Sequence, residues 1–283
     1  KEETEERRGP VGLKFTKMHG LGNDYLYVLG NPDRARERYG LDASELSIRL
    51  SDRHFGVGSD GMIWIAPADD ADCLMRIFNA DGSEAMMCGN GVRCVGKYLY
   101  DQGLVDRLQV RVKTRSGLKG LELSPGPDGM IERVAVRMGR ATIDDERVVE
   151  ALGAEVRLMP VDVGNPHAVI FVEDALAAPV ASLGAALERH EAFPGGVNVE
   201  FVEVTGDNEL RMRVWERGSG ITMACGTGSC ASAAAAVRAG LVDGARPVRV
   251  VLDGGELLIE VAPDGEVVMT GPAATVCEGE VEL

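Results

Sequence analysis

Apolar and polar residues alternate in short runs along most of the chain, the period-two pattern of strands with one buried face. Such runs occur at 13–18, 25–29, 62–66, 74–78, 108–113, 118–123 and 131–137, and Pro125-Gly126-Pro127-Asp128-Gly129 turns the last two into a hairpin. The style repeats at 156–163, 168–172, 199–204, 210–215, 248–252, 257–261, 267–270 and 274–281. Helical spacing is scarcer and is predicted at 43–54, 89–102, 182–191 and 226–239. The last of these carries Ala231, Ala233, Ala234, Ala235 and Ala236 on every face, which belongs inside a structure. Its counterpart at 89–102 presents Val92, Val95 and Leu99 on one face. Many strands and one central helix per half predict an α+β fold in which strands wrap around a helix; strands and helices do not alternate as a doubly wound sheet requires.

The halves also match each other. A shift of 137 positions lays Met75-Arg76-Ile77-Phe78 on Met212-Arg213-Val214-Trp215 and, without a gap, Met86-x-Cys88-Gly89-x-Gly91 on Met223-x-Cys225-Gly226-x-Gly228. Weaker echoes pair Gly22-Asn23 with Gly164-Asn165 and Phe55 with Phe193. Strand, turn, Cys and helix in the same order twice point to duplication, hence to two pseudo-symmetric halves.

Composition narrows the function. The 283 residues, 45% of them hydrophobic, are enough for a real core. A net charge of −15 without a Lys/Arg block argues against nucleic-acid binding, which needs a basic surface. Residues 1–10, almost all charged, read as a solvated tail outside the fold. Residues 218–237 lack charge over the length of a membrane span, but Gly, Ala, Ser and Thr dominate them, so a buried helix is expected and no membrane association. No signal-peptide pattern opens the sequence, and the expected compartment is the cytoplasm. The six cysteines are too sparse for a disulfide scaffold and should be thiols there.

Cys88 and Cys225 each precede a predicted helix, where unpaired N–H groups and the positive end of the dipole favour an anion. Such a place favours thiolate. The N–H groups of Gly89, Asn90, Gly226 and Thr227 could equally hold one carboxylate. Two helix starts related by a pseudo-twofold would aim both thiols at one carbon from opposite sides, the geometry of inversion by one base and one acid. Cys73, Cys94, Cys230 and Cys277 read as structural thiols. The Cys88/Cys94 and Cys225/Cys230 spacings lack the close pairs of structural zinc, and no metal is expected. Gly226-x-Gly228-x-x-Ala231 fits a dinucleotide fingerprint but lacks its βαβ setting. None of the six lysines occupies a pyridoxal-type pocket, Lys97 being expected on an exposed helix face, so no cofactor is expected.

The segments Lys17–Tyr25, Phe78–Glu84, Met87–Gly91, Gly164–His167, Glu216–Gly218 and Ala224–Gly228 resemble, in order, the signature segments of the diaminopimelate epimerase family over nearly the whole chain after the tail. The resemblance implies a site in the cleft between an N-terminal half, 11–132 joined by a returning strand at 272–283, and a C-terminal half, 133–271. It implies a homodimer and interconversion of LL- and meso-diaminopimelate, a small zwitterionic substrate, for lysine and peptidoglycan precursors. The family's substrate contacts fall on Asn23, Asn79, Asn165, Asn198, Glu216 and Arg217, with Gly89-Asn90 and Gly226-Thr227 at the reacting carboxylate; His167 and Glu216 match positions that adjust the two thiols. Some members carry Gln where this chain has Gly61. Proline racemase and hydroxyproline epimerase share the paired-Cys logic, and the Asn-rich clamp with Arg217 favours a longer substrate. Outside this class stand a catalytically silent carboxylate-binding protein, which would not exchange an α-proton, and a zinc-dependent hydrolase, which chelators would inhibit.

Overall fold

A computed structural model describes residues 11–283, so the tail expected at 1–10 lies outside the described residues. The chain opens with β1 (Gly12–Gly20) and β2 (Asn23–Leu29), then α1 (Ala35–Tyr39), α2 (Ala43–Ser51), β3 (Gly61–Ala66), β4 (Cys73–Asn79) and β5 (Glu84–Ala85). It continues through α3 (Gly89–Asp101), β6 (Gln109–Thr114), β7 (Gly117–Pro125) and β8 (Ile131–Arg140). After β9 (Thr142–Ile143) and β10 (Arg147–Ala151) come β11 (Ala154–Asp162), β12 (Pro166–Phe171), α4 (Ala185–Glu188), β13 (Asn198–Gly206), β14 (Glu209–Glu216) and β15 (Gly220–Ile221). Then follow α5 (Gly226–Arg238), β16 (Val248–Leu252), β17 (Gly255–Val261), β18 (Glu266–Pro272) and β19 (Ala274–Glu282).

The pairings make the duplication explicit. In the first half β1 runs antiparallel to β2, β2 parallel to β3, β3 antiparallel to β4, β4 parallel to β6, and β6, β7 and β8 form a meander. In the second half β11, β12, β13, β14, β16, β17 and β18 repeat that sequence of antiparallel and parallel pairings. Helices α3 and α5 start and end at positions 137 apart, the shift at which the sequences match. The halves then exchange strands. β8 pairs with β18 over Arg140↔Glu266 to Arg133↔Pro272, and beyond this seam β9 joins β11 while β19 joins β1.

The main core surrounds both central helices and includes Ile63, Val92, Val95 and Val134 from one half and Val202, Val214, Ala231 and Ala235 from the other. Each sheet also covers a smaller cluster on its outer face. Met62 and Trp64 pack with Leu46 and Leu50 of α2, and Val199 and Phe201 pack with Val180 and Leu187 near α4. The β3 and β13 side chains therefore divide between two apolar layers, which explains runs without clean alternation.

Several expected elements are displaced, each for a local reason. The first helix stops at Ser51 because the Asp52 carboxylate accepts from His54 and Phe55 N–H and closes a turn. The helix expected at 182–191 is a wide turn, Val180–Gly184, followed by the single α-turn of α4, because a side chain on Gly184 would strike Trp215 and the two elements must nearly touch. Helix α1 and strand β10 were not expected. Lys97 is not on an exposed face. It is buried in α3, where Nζ meets Asp101 at 2.6 Å and donates to the Ile131 carbonyl at 2.7 Å. The uncharged stretch at 218–237 supplies α5, buried over ten of its residues, and no helix among the described residues is long and apolar enough to cross a membrane.

Candidate active site

Cys88 and Cys225 are the N-caps of α3 and α5. Both have extended backbones, and each sulfur accepts from the N–H three residues on, Gly91 and Gly228, at 3.3 Å. The two helix starts meet. A Cβ built on Gly89 would lie 3.7 Å from Gly226 Cα, and one on Gly226 would lie 3.6 Å from Gly89 Cα and 2.9 Å from the Met269 sulfur. The two helix starts are thus in van der Waals reach of each other, and Met269 of the seam strand β18 packs so close beneath both that a side chain at either glycine would displace it.

Around Cys88 stand Asn23, Asn90 and Asp60. The two-residue turn Leu21-Gly22, with φ of 59° and 87°, brings Asn23 to the start of β2. Its Oδ1 lies 3.3 Å from Cys88 Sγ, and its Nδ2 donates to Asp60 at 2.8 Å. Asn90 Nδ2 donates to the Ala224 carbonyl at 3.1 Å, so it ties the first helix start to the residue before the second cysteine. Around Cys225 a chain of contacts runs from Sγ to Thr227 Oγ1 at 3.5 Å, to Asn165 Nδ2 at 3.4 Å, and from Asn165 Oδ1 to His167 Nε2 at 3.1 Å. His167 Nδ1 then meets Glu200 Oε1 at 2.6 Å, both side chains being fully buried. Glu216 accepts from the Thr222 hydroxyl.

The expected clamp is only partly free. Both ends of the Asn198 amide are engaged, donating to Pro166 O at 3.0 Å and accepting from Arg217 N–H at 2.9 Å. Asn198 therefore fixes the loop that carries Arg217, whose guanidinium is exposed and donates to Gly195 O. Asn79 Nδ2 donates to Ser83, and the backbone beside it pairs with Gly61.

The electrostatics depart from the expectation that helix ends would favour thiolate. Burial pushes Cys88 up, with Glu216 adding to it, and the Gly91 and Asn90 N–H groups and Arg93 only partly offset this. Cys225 is pushed well above the ordinary thiol value by burial, then by Glu216 and Glu200. Glu216 is itself raised by burial. Cys225 is 5% exposed and Cys88 half-buried, and at both sulfurs loss of water outweighs the N–H groups.

Three residues went unnoticed in the sequence. Glu200 alternates with Val199 and Phe201, a pattern that places it with Val202 toward α5; a charge on that apolar face was the available signal. Asp60 and the fully buried Arg93 gave no local signal. Gly61 has φ 155°, and a Cβ there would lie 2.2 Å from the Phe78 carbonyl, so this backbone has no room for a Gln side chain as it stands. Gly61→Gln is expected to lower stability by about 1–3 kcal/mol and to reduce activity, read by thermal unfolding beside a rate assay; an unchanged melting temperature would count against the strain. Among the described residues no group of three or more His, Cys, Asp or Glu side chains is arranged to hold a metal ion.

Two helix starts that meet across a seam of exchanged strands define a class. Solved structures with this architecture include a Bacillus anthracis phenazine biosynthesis protein of the PhzF family (TM-score 0.73, 17% identity, 96% of this chain and 99% of that one). A hydroxyproline epimerase from Agrobacterium vitis also shares it (TM-score 0.71, 19% identity, 98% of this chain and 94% of that one). At the level of fold the protein thus shares the two-half architecture of these solved structures. Sequence identifies the family. The diaminopimelate epimerase family model matches residues 15–143 and 159–276. Curated diaminopimelate epimerases from Acetivibrio thermocellus and Bacteroides thetaiotaomicron are 46% and 48% identical, covering 96% and 95% of this chain and 99% and 98% of their own. The chain belongs to the diaminopimelate epimerase family.

Proposed function

We propose that this epimerase interconverts LL- and meso-2,6-diaminopimelate without a cofactor, with Cys88 and Cys225 as acid and base on opposite faces of one α-carbon. The observation that carries this reading is the contact of two equivalent helix starts, each capped by a cysteine. A thiolate takes the α-proton, the carbon flattens, and the opposite thiol gives its proton to the other face; the cysteines end with exchanged roles. The N–H groups of Gly89, Asn90, Gly226 and Thr227 would hold the carboxylate into which charge flows. Asn23, Asn79, Asn165, Asn198, Glu216 and Arg217 would read the substrate's polar groups. His167, backed by Glu200, and Glu216 would set the protonation of Cys225. The resemblance further supports a cytoplasmic homodimer supplying lysine and peptidoglycan precursors, built from an N-terminal half of 11–132 with 272–283 and a C-terminal half of 133–271.

Incubation with LL-diaminopimelate in deuterium oxide, without added cofactor, tests it. The meso isomer should appear with one solvent deuteron at the inverted carbon, while L-proline and 4-hydroxyproline should remain unchanged. Inversion without solvent deuterium would exclude the two-thiol route, and turnover of proline alone would exclude the substrate.

A further inference from the structure

The direction of the hydrogen bonds around Cys88 is set by groups that have no choice. Arg93 can only donate. Its Nη2 lies 2.9 Å from Asn90 Oδ1, which leaves Asn90 Nδ2 to face the Ala224 carbonyl and, at 3.5 Å, Asn23 Oδ1. An ionised carboxylate can only accept. Asp60, paired with Arg53 at 2.8 Å, accepts from Asn23 Nδ2 at 2.8 Å. Asn23 is therefore fixed from both sides with its oxygen toward Cys88 Sγ at 3.3 Å, and only an S–H can satisfy that contact. Amide orientation follows here from the network, a donor at one end and an acceptor at the other.

Arg93 makes the arrangement notable energetically. It is fully buried near the start of α3, against the helix dipole, and has no carboxylate partner among the described residues. Its remaining bonds go to the Pro272 carbonyl at 3.1 Å, the Gly89 carbonyl at 3.2 Å and the Met269 sulfur at 3.7 Å. We propose that Asp60 and Arg93 are positioning residues that, through Asn23 and Asn90, hold an acceptor oxygen against Cys88 and so keep its proton in place in the substrate-free enzyme, outweighing the opposite pull of the Arg93 charge. This deepens the two-thiol reading and rests on it. The other charged and titratable groups facing Cys88 are Tyr25 and Tyr27 of β2, Cys94 of α3 and Glu216 of β14; Asp60 in turn faces Arg53, whose other partner is Asp24, held also by Lys17.

The test is alkylation of each thiol by iodoacetamide as a function of pH, assigned by peptide mass, in the wild type, Asp60→Asn and Asn23→Ala. The midpoint is the readout, because accessibility changes a rate without moving it. In the wild type the Cys88 midpoint should lie above the ordinary thiol value of about 8.5. Asp60→Asn frees the Asn23 amide to turn its NH2 to the sulfur, and Asn23→Ala removes the acceptor. Each should lower the Cys88 midpoint by about one pH unit, a tenfold gain in thiolate near neutrality, with any shift at Cys225 smaller and upward, since a thiolate at Cys88 disfavours a second one beside it. If Asp60→Asn does not fold, Asn23→Ala decides. A wild-type midpoint at or below the ordinary value, or variants that alkylate faster at an unmoved midpoint, would overturn the proposal. Alkylation needs no substrate, so unmoved midpoints in an active epimerase sink only this inference, and the expected midpoints in a protein inert toward diaminopimelate sink only the proposed function.

Discussion

Cys88→Ala and Cys225→Ala are each expected to lose epimerisation by roughly 100- to 10,000-fold, the usual cost of removing a positioned acid or base. No other thiol replaces them: Cys94 and Cys230 are fully buried further along the two helices, and burial holds them at about 11 and about 12. The two variants should nevertheless differ. Each keeps one sulfur on one face, so slow exchange of the α-proton with solvent, without inversion, should persist for one stereoisomer in one variant and for the other stereoisomer in the other. Nuclear magnetic resonance of each isomer in deuterium oxide reads this directly. Exchange of both isomers by a single variant would require one base that reaches both faces. Each sulfur also caps its own helix, so a modest drop in melting temperature should accompany the substitution and has to be separated from the rate by assaying below the transition.

The protein should also be unusually sensitive to alkali. Burial pushes Cys73 and Cys230 to about 12 and Cys94 to about 11, whereas a thiol in the unfolded chain ionises near 8.5. These are raised values, so the stability tied to them is complete below about pH 8.5 and is lost as pH rises toward 11, because the unfolded chain then binds fewer protons than the native one. Three such groups give a slope of about 4 kcal/mol per pH unit, or about 6 kcal/mol by pH 10. That is comparable with the whole stability of an ordinary domain, about 5–15 kcal/mol. Urea unfolding at pH 7.5, 9 and 10 should show the loss, and Cys73→Ala should remove about a third of the slope. A flat profile would mean that the thiols ionise in place.

What the sequence disclosed follows from how local each signal is. Strand alternation, the Ala-rich helix and the doubled Cys-Gly-x-Gly needed only neighbours a few residues apart, and the equivalence of Cys88 and Cys225 needed only a comparison of the chain with itself. The exchanged seam of β8 and β18 was not in the pattern, since pairing partners 126 or more positions apart leave no periodic trace. Lys97 was misplaced because Asp101, one turn away, and the Ile131 carbonyl, 34 positions on, together make its burial tolerable, and only the first is visible locally. Asn198 is expected to touch substrate, and the structure adds that one N–H and one oxygen lone pair of its amide hold Pro166 and Arg217, leaving a second of each. Its residue type was legible and its partners were not.

The pairing of β19 with β1 bears on how the molecule is made. β1 lies between β2 and β19, and β19 follows every other strand in the chain. As the polypeptide leaves the ribosome, the first half therefore has one edge of β1 open through the synthesis of the entire second half. The earlier part of the gene encodes the part that is finished later. During that interval an unpaired strand edge is offered to any passing chain, so the half-made protein stays open to mispairing along β1 until β19 arrives to cover it.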